Sequence, residues 1–409
     1  MSPTMFSRLM YAKDSAVSYM VDKITHICSQ IPTRRPGSNG ERKAAEYMAS
    51  LLQSDGHCEN TSVESFREHP SSFYGYCILS AIFDTLSGIG FFLHPAIGLI
   101  SGCISLLLFL FFFVLYKPVI DPLFPEREGT NVTAICPPQG NVKRRILLNA
   151  HVDASWEFTL NYHLGGIAFE IPNVMATAGV LFNIFVAVCA LCGLGNWTHT
   201  AACWGLLFIP FFVAVGFTYN PRRVVPGAND NLSGCAMGMG MLSILWSEGA
   251  SLYHTEIGVI LTGSEEAGLR GSKAWCKVHA GEFKDVPTFI ITIDTIHSPD
   301  QLMINTKDLN GTVSCDPALC KALLTAAKDA GVPCKEAKIP LFGGATDSAA
   351  FTQGGFRSAS ITAMSHKLES YYHTRRDTPD QLNEEGLGNC YALLAKLIEM
   401  AEQGDLDHI

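Results

Sequence analysis

The sequence predicts an α/β fold, in which a mixed, mainly parallel sheet is sandwiched by helices and two transmembrane helical hairpins are inserted. Three observations support this prediction. Apolar runs typical of strands alternate with helical patterns through most of the chain. Four segments of about twenty residues, the length that crosses a bilayer, carry almost no charge. Acidic and histidine side chains follow several of the apolar runs.

The polar part of the chain supplies the sheet and its covering helices. Residues 38–56 combine a polar cap, helical apolar spacing and a glycine stop, and residues 232–248 and 387–403 predict two further helices. Continuous apolar runs predict buried strands at residues 144–151, 255–263, 286–294 and 357–365. Such strands between helices are typical of a mainly parallel sheet covered on both faces, which binds ligands beyond the carboxyl ends of its strands.

The composition separates this chain from ordinary soluble enzymes. Hydrophobic residues make up 48% of the 409 residues and charged residues only 16%, whereas about a quarter is usual for charged residues. The net charge of −9 and the lack of a basic stripe exclude a nucleic-acid partner. Attachment to a membrane must therefore come from apolar burial.

Four apolar segments predict membrane-spanning helices, at residues 73–94, 96–116, 174–195 and 201–219. Between residues 158 and 221 the only Asp, Glu, Lys or Arg is Glu170. Each pair of segments forms a hairpin, which gives hairpins at 73–116 and 174–219 and a polar domain built from 1–72, 117–173 and 220–409. The alternative is a set of long core helices in a soluble protein, but such helices rarely lack a polar face.

Positive charges predict the orientation of the hairpins. Arg67, Lys117, Arg127, Arg222 and Arg223 flank the hairpins on the side of the polar sequence, and the connecting turns carry no Lys or Arg. The positive-inside rule then places the polar domain and both termini in the cytoplasm. The N-terminal segment shows no pattern of a secretory signal peptide.

The pattern of cysteines agrees with a cytoplasmic location of the polar domain. The fourteen cysteines show no regular spacing, and several lie inside apolar runs. This pattern predicts buried thiols in a reducing compartment rather than a disulfide framework.

Asp84 lies in the middle of the first predicted span, where a charge is expensive. Two interpretations remain open. The residue either marks a polar path through the helices or faces inward, where it bonds to a neighbouring helix.

Five short motifs place acids and histidines at strand ends or turns. They contain the following residues: His151, Asp153, Asp230, Glu265, Glu266, Asp294 and His373. Singly, each motif has an ordinary structural explanation, such as a core histidine, a helix start favoured by the helix dipole, a turn or a cap. Together, the two imidazoles and three of the five carboxylates suit two divalent cations that share one bridging carboxylate. Without cations, so many acids at one sheet edge would repel one another.

The order His-x-Asp, Gly-Ala-x-Asp-x-x-x-Ser-Gly, Glu-Glu, Asp and Tyr-His-Thr-x-x-Asp-Thr resembles that of the co-catalytic double-zinc exopeptidases. This family includes bacterial leucyl aminopeptidases, glutamate carboxypeptidases and glutaminyl cyclases. The resemblance covers essentially all the polar sequence. It implies two bound divalent ions, most plausibly Zn²⁺, although cobalt and manganese are not distinguished by the sequence.

The resemblance also implies a role for each residue of the motifs. Asp230 bridges the two metals, and the peptide bond that follows it is cis. Glu266 and His373 complete the ligands of one metal, whereas His151 and Asp294 complete those of the other. Asp153 orients the imidazole of His151. Glu265 is the general base, which accepts a proton from the attacking water.

Two departures from the family pattern limit what the resemblance implies. Ser348 follows Asp347 where many relatives have a Ser-Asp-His run, so recognition of the substrate end is open and Asp347 is interpreted as structural. The hairpins are absent from familiar soluble members. Because the second hairpin interrupts the loop between Asp153 and Asp230, we expect the metal centre to lie close to the bilayer surface.

These observations favour a membrane-embedded zinc aminopeptidase that acts on a peptide or small amide substrate and contacts the lipid bilayer. A second hypothesis is another amide hydrolase, such as a dipeptidase, a carboxypeptidase or an N-acyl amidase with a lipophilic substrate. A third is a non-catalytic membrane assembly module, but that role does not require the complete set of ligands and base. A glutaminyl cyclase is less favoured, because the bridged pair suggests hydrolysis. The sequence does not indicate an oligomeric state.

Overall fold

A computed structural model describes residues 4–365 and 368–409, and an eight-stranded sheet lies at its centre. Its strands follow the order β1-β2-β6-β3-β7-β12-β8-β11. The strands of the chain are β1 Asn60–Glu68, β2 Arg127–Cys136, β3 Arg144–His151, β4 Trp156–Phe158, β5 Tyr219–Val224, β6 Thr255–Thr262, β7 Thr288–Ile296, β8 Leu302–Asn305, β9 Lys307–Asp308, β10 Val313–Ser314, β11 Lys335–Ala337 and β12 Arg357–Ala363.

The sheet is mixed and mainly parallel, which confirms the predicted fold class. Strand β3 pairs in parallel with β6 on one side and β7 on the other, and β12 continues the parallel order beside β7. Antiparallel pairs occur toward the edges, between β1 and β2, β2 and β6, and β8 and β12. Two short ribbons, β4–β5 and β9–β10, lie outside this sheet.

Helices cover the sheet and form the apolar segments. They are α1 Met5–Tyr11, α2 Lys13–Gln30, α3 Asn39–Ser54, α4 Ser71–Ile89, α5 Pro95–Leu108, α6 Thr159–Leu164, α7 Gly166–Leu191, α8 Trp197–Gly205, α9 Ile209–Val215, α10 Ser233–Ser247, α11 Arg270–His279, α12 Pro317–Asp329, α13 Asp347–Gln353 and α14 Glu384–Gln403.

The alternation of side chains along β3 explains why both faces of the sheet are covered. Ile146 and Leu148 join the larger core with α2, α10 and α14, whereas Leu147 points to a second core that contains Trp275 of α11 and Phe351 of α13. Successive side chains of a strand point to opposite faces. A strand that is apolar at consecutive positions must therefore be buried on both sides.

Helix ends follow the signals in the sequence. The Ser38 hydroxyl accepts a hydrogen bond from the Glu41 amide and so caps α3. Helix α14 ends at Gly404, whose φ of +91° is a conformation that glycine adopts without a Cβ clash.

Four helical spans are long and apolar enough to cross a membrane: Ser71–Phe92, Pro95–Val114, Gly166–Leu191 and Trp197–Val215. The third span begins at Gly166, earlier than the sequence predicts. Helix α7 continues through Glu170 and Pro172, which the sequence pattern treats as a boundary because a charge and a proline disfavour the interior of an apolar helix.

The four spans pack against one another and leave apolar side chains on their outer surfaces. Ile82 of α4 is 49% exposed, and Phe185 of α7 is 58% exposed. Between helices, Gly205 allows close approach, because a Cβ at this position would lie 2.2 Å from the Asn183 side-chain oxygen. Small residues at such contacts are typical of helix packing in membranes.

Asp84 faces the interior of this bundle. It is buried, and its carboxylate accepts a hydrogen bond from the Ser105 hydroxyl of α5. The Asn183 side chain of α7 donates to the Ser87 hydroxyl, which donates to the Asp84 carbonyl. The interpretation of Asp84 as an inward-facing residue bonded to a neighbouring helix is therefore confirmed.

The expectation that the cysteines are all thiols is wrong for one pair. Cys58 and Cys136 form a disulfide across a sequence separation of 78 residues, and the other twelve cysteines are free. The pair is brought together by the antiparallel register of β1 and β2, in which Asn60 lies opposite Ile135. Spacing along the sequence does not reveal such a register.

Candidate metal centre

The carboxyl ends of three adjacent strands position the predicted site. His151 is the last residue of β3, which lies between β6 and β7. Glu265 and Glu266 follow the end of β6, and Asp294 lies near the end of β7. Because parallel strands end at the same sheet edge, these side chains converge there.

Asp230 lies between the two histidines. One carboxylate oxygen is 3.2 Å from His151 Nε2, and the other is 2.9 Å from His373 Nε2. Asp230 precedes α10 in a short irregular segment, and the peptide bond to Asn231 is cis, as the family resemblance implies. One carboxylate that faces two imidazoles through separate oxygens has the arrangement expected of a bridging ligand.

Glu266 and His373 form the other contact of the centre. Glu266 Oε1 lies 3.1 Å from His373 Nε2. His151, Asp230 and Glu266 each bring one potential ligand atom to within 4.8 Å of the others. The side chains of all three are buried, so this set of donors is shielded from bulk water.

The His373 ring is held on several sides. Its Nδ1 lies 3.0 Å from the Ser155 hydroxyl, and the Phe158 amide donates to the His373 carbonyl at 2.7 Å. The Tyr372 ring stacks on the imidazole at 4.1 Å, and the Phe158 ring packs edge-on at 4.4 Å. These contacts direct Nε2 toward Asp230 and Glu266.

Asp153 contacts the site through its neighbours. Its two carboxylate oxygens accept hydrogen bonds from the amides of Glu265 and Glu266 at 3.0 and 3.1 Å. The same carboxylate lies 3.4 Å from His151 Nδ1, on the side of the ring away from Asp230. Asp153 thus fixes both the orientation of the imidazole and the loop that carries the two glutamates.

Glu265 and Asp294 line a cavity beside these contacts, together with Glu266 and His373. Glu265 Oε2 lies 3.9 Å from His151 Nε2. The Asp294 carboxylate accepts a hydrogen bond from the Thr295 hydroxyl at 2.9 Å. The structure therefore places all seven predicted residues at one sheet edge.

Asp347, which the sequence suggests is structural, is also buried next to this edge. It lies at the start of α13, and the Thr262 hydroxyl of β6 donates a hydrogen bond to its carboxylate. Burial raises the pKa of Asp347. It ties α13 to the end of β6.

Asp377 is a residue that the sequence interpretation missed. Its carboxylate accepts hydrogen bonds from the backbone amides of Asn229 and Asp230 at 2.9 and 3.0 Å, and from the Asn229 side chain at 2.8 Å. It therefore fixes the segment that presents Asp230. The sequence signal that could have identified Asp377 is its position four residues after His373 in the same motif.

Arg34 was also missed, and it joins the two ends of the second insertion. The guanidinium is fully buried and donates to the Val152 carbonyl at 2.9 Å. It also donates to the carbonyls of Pro226 and Gly227 at 2.7 and 3.1 Å. The segments that precede and follow the second insertion therefore lie side by side at the metal site. The antiparallel ribbon β4–β5 connects this point to the inserted helices.

Two further buried acids support the glutamate loop. The Ser264 hydroxyl lies 2.7 Å from a Glu41 carboxylate oxygen and 2.5 Å from a Glu68 oxygen. Glu68 ends β1, immediately before the first span. Burial raises the pKa of Glu68 to about 8. These acids position Ser264, which precedes Glu265 and Glu266.

The electrostatics of the site reflect crowded like charges. Burial, reinforced by the charge of Asp230, raises the pKa of Asp294 to about 7. Burial alone would lower the pKa of His373, but the carboxylates of Glu266 and Asp230 raise it to about 10. The pKa of His151 is likewise raised above its usual value by Asp153 and Asp230, against the effect of burial.

The neighbouring carboxylates thus favour the charged form of both imidazoles. Asp230 shows the converse, since its hydrogen bonds to the two histidines lower its pKa despite burial. Imidazole nitrogens and carboxylate oxygens are donors that suit zinc and related divalent metals. The residues present thus fit a pair of such cations.

The comparisons with known proteins agree with this geometry. Residues 214–398 match the model of peptidase family M28. This segment covers slightly less than half of the chain. It contains Asp230, Glu265, Glu266, Asp294 and His373, and the resemblance to the double-zinc exopeptidases is thereby confirmed. His151 and Asp153 lie before the matched segment, on the other side of the second pair of spans.

Solved structures share the fold of this chain. A zinc aminopeptidase from Bacillus subtilis aligns with a TM-score of 0.56 at 14% identity, over 94% of this chain and 95% of its own. The LapA aminopeptidase of Legionella pneumophila gives a TM-score of 0.54 at 14% identity, over 96% of this chain and 74% of its own.

A glutaminyl cyclase from Bacteroides thetaiotaomicron aligns with a TM-score of 0.53 at 13% identity, over 95% of this chain and 97% of its own. Because a cyclase and aminopeptidases match almost equally well, the fold alone does not select the reaction. Among curated proteins, no significant match to the sequence was found.

Proposed function

We propose that this protein is a membrane-embedded, zinc-dependent aminopeptidase that hydrolyses N-terminal residues of peptides. The observation that carries the proposal is the Asp230 carboxylate, which faces His151 with one oxygen and His373 with the other. The family match supports a zinc peptidase, and aminopeptidases of the same fold support the choice of substrate end.

Five side chains would hold the metal ions: Asp230 between the two, His151 and Asp294 on one, and Glu266 and His373 on the other. When bound, the ions would polarise the scissile carbonyl and lower the pKa of water at the site. Zinc is the proposed metal because the donors are imidazoles and carboxylates and because solved enzymes of this fold are described as zinc aminopeptidases. Asp153 would keep the His151 ring in place.

Glu265 is the proposed general base. Its side chain lines the cavity and is adjacent in sequence to the proposed ligand Glu266. Burial raises its pKa well above the usual range, although the charge of His151 opposes this effect. A carboxylate with a raised pKa can accept a proton from water and return it to the leaving amine.

Substitution of Glu265 tests the mechanism directly. Glu265→Gln should reduce turnover by about 10²–10⁴-fold, the usual contribution of a general base. The variant should keep its metal near two equivalents, which elemental analysis of the purified protein measures. Loss of both metals would instead make Glu265 a ligand.

Metal analysis and digestion of a peptide library by the detergent-purified protein test the proposed activity. Release of N-terminal residues is the expected result. Cleavage of acyl-amino acids, with neither aminoacyl amides nor short peptides cleaved, would favour the alternative amide hydrolases: a dipeptidase, a carboxypeptidase or an N-acyl amidase. The absence of any hydrolysis by metal-loaded protein would favour a non-catalytic membrane module.

The proposed topology places two hairpins in the bilayer and the catalytic domain and both termini in the cytoplasm. Four apolar spans with exposed outer side chains support the membrane insertion, and the flanking basic residues support the orientation. The Cys58–Cys136 disulfide counts against a reducing compartment. A reporter fused after Ile409 shows on which side of the membrane the C-terminus lies. Activity of the reporter outside the cytoplasm would overturn the proposed orientation.

A further inference from the structure

The cavity at the proposed metal centre does not end at the sheet edge. It has a volume of about 450 Å³ and is lined at one end by Glu265, Glu266, Asp294 and His373. The rest of it is lined by residues of the bundle of four apolar helical spans and by a loop of the polar part of the chain. We call this part the bundle chamber, defined by Tyr76, Ser80 and Asp84 of α4, Ser105 of α5, and Ala176 and Val180 of α7.

One face of α4 shows how far the bundle chamber extends. Phe73, Tyr76, Ser80 and Asp84 all line the cavity, with the three- and four-residue spacing of one helix face. Phe73 packs against Ala267, the residue after Glu266. Asp84 lies eleven residues further along, which corresponds to about 16 Å along the helix axis, or roughly half of the hydrocarbon thickness.

The wall between the two ends of the cavity is mainly aromatic and aliphatic. Phe109 and Phe113 line it from the end of the second span, and Val215 lines it from α9. A loop of the catalytic domain completes the wall, because the Phe342 ring lies 5.7 Å from Phe109 and 6.0 Å from Phe113. The neighbouring Leu341 is 59% exposed, so the outer side of this loop is also apolar.

The cavity extends from the sheet edge to Asp84 between the helices, which ordinary packing of a helix bundle would fill. Protein interiors pack with few voids larger than a water molecule, and an engineered apolar cavity of about 150 Å³ already binds small apolar molecules. The deep end also offers an unused polar group. Ser80 is buried, and its hydroxyl has no hydrogen-bond partner among the residues that the structure describes. These features indicate a binding site rather than a packing defect.

We propose that the bundle chamber holds an unbranched apolar chain of the substrate, attached close to the hydrolysed amide. The substrate class is thus an amphiphilic amide or peptide, whose polar end is cleaved at the sheet edge while its apolar chain lies between the spans. This inference rests on the proposed hydrolase function and specifies its substrate. The apolar chain of the substrate is attached either to the acyl side of the amide or to its amine side. In either position it presents the same apolar surface to the chamber.

A series of amides with chains from acetyl to palmitoyl length tests the proposal. Each buried methylene should raise kcat/KM by about fourfold, until the chain reaches the end of the chamber. A parallel series with the alkyl chain on the amine side identifies which side of the amide the chamber accepts. If the purified protein cleaves the short amides but neither series shows an increase with chain length, the inference is overturned and the hydrolase function stands.

Two variants of α7 provide a matched control. Ala176 lines the chamber and is buried, whereas Leu181 on the same helix is 52% exposed on the outer surface. Ala176→Phe should lower kcat/KM for the long-chain amide at least tenfold more than for the short-chain amide. Leu181→Phe should leave the ratio between the two amides unchanged. Equal effects of both variants on this ratio would contradict the chamber.

A binding measurement tests the chamber independently of turnover. The Glu265→Gln protein should be stabilised by a palmitoyl amide but not by the acetyl amide at the same concentration, as read from its Tm in detergent. Ala176→Phe in this background should remove the stabilisation. Stabilisation by the palmitoyl amide, in a protein whose metal-loaded wild type hydrolyses neither amides nor peptides, would support the chamber and refute the hydrolase function. No difference between the two amides would refute the chamber.

Discussion

The sheet edge and the membrane-span bundle bury acidic side chains in opposite ways. At the sheet edge, Asp230 faces two imidazoles, and Glu266 faces one of them. In the bundle, the Asp84 carboxylate accepts a hydrogen bond from the Ser105 hydroxyl. Crowded carboxylates require positive charge, whereas a single carboxyl group can be satisfied by a neutral donor.

This difference shows which acids serve binding and which serve packing. At the sheet edge, burial and the charge of Asp230 raise the pKa of Asp294 to about 7. The carboxylates of Glu266 and Asp230 raise the pKa of His373 to about 10 against the effect of burial. Buried carboxylates so close to one another suit the binding of a cation. Asp84 joins two helices by one hydrogen bond, which is a structural contact of ordinary strength.

The largest effect is expected at the shared carboxylate. Asp230→Ala removes the group between His151 and His373, so both ions should be lost and peptide hydrolysis should fall below detection. Elemental analysis and the peptide-library assay measure these two outcomes. Asp380→Ala, which removes an exposed acid, is the matched control and should change neither. Retention of two metals by Asp230→Ala would refute the bridging role.

A smaller effect is expected at Asp153, which acts through its neighbours. An asparagine would place its NH₂ group, which is a donor, against one of the two amides of Glu265 and Glu266, so one of the two hydrogen bonds would be lost. Asp153→Asn should therefore lower kcat/KM by about 10–100-fold, as is typical for partners of metal-ligating histidines. The decrease should be in kcat more than in KM. A variant with wild-type kcat would show that the two hydrogen bonds do not matter for catalysis.

The pH dependence of stability examines the acids behind the sheet edge. Because burial raises the pKa of Glu68 from 4.5 to about 8, the folded protein binds this proton more tightly than the unfolded chain does. The resulting stabilisation is complete below pH 4.5 and is lost as the pH rises toward 8. Glu68→Gln is neutral at every pH, so its Tm should rise relative to that of the wild type across this range.

The expected gain in the free energy of unfolding for Glu68→Gln is at most a few kcal/mol. Glu59→Gln provides a comparison, since this acid lies just before β1 and outside the cluster around Ser264. If the difference in Tm between Glu68→Gln and the wild type is the same at every pH, the folded protein keeps Glu68 charged and the interpretation of the cluster is wrong.

The smallest effect is expected in the bundle. Asp84→Asn keeps an oxygen that can accept the Ser105 hydroxyl, so the free energy of unfolding should change by less than about 1 kcal/mol. Asp84→Leu removes the acceptor and should cost about 1–3 kcal/mol, because the Ser105 hydroxyl is buried. Tm measurements in detergent distinguish the two. Loss of metal from either variant would show that Asp84 is needed for metal binding and is more than a structural contact between helices.

Much of the fold and of the site follows from local patterns. The strand β3 and the helix α10 are predictable because an unbroken apolar run must be buried on both faces. The ligands converge because they follow strands that end at one edge, which the sequence order of His151, Glu266 and Asp294 already implies. The approximate positions of the spans follow from length and hydropathy alone.

Other features depend on contacts between distant segments. Arg34 contacts Val152 and Pro226, and nothing in its local sequence indicates either partner. The Cys58–Cys136 disulfide depends on strand register. The bundle chamber depends on which faces of four helices meet, and the same hydropathy would be compatible with a closed bundle. Asp377 is intermediate, because its motif was visible but its role as an acceptor for Asn229 and Asp230 was not.

The insertion of the second hairpin between Asp153 and Asp230 has a consequence for biosynthesis. His151 leaves the ribosome before the spans Gly166–Leu191 and Trp197–Val215, and Asp230 leaves after them. The nascent chain therefore holds an incomplete centre until both of these segments have been translated. A truncated polypeptide that ends before the hairpin carries no Asp230 and has no means of assembling an active hydrolase.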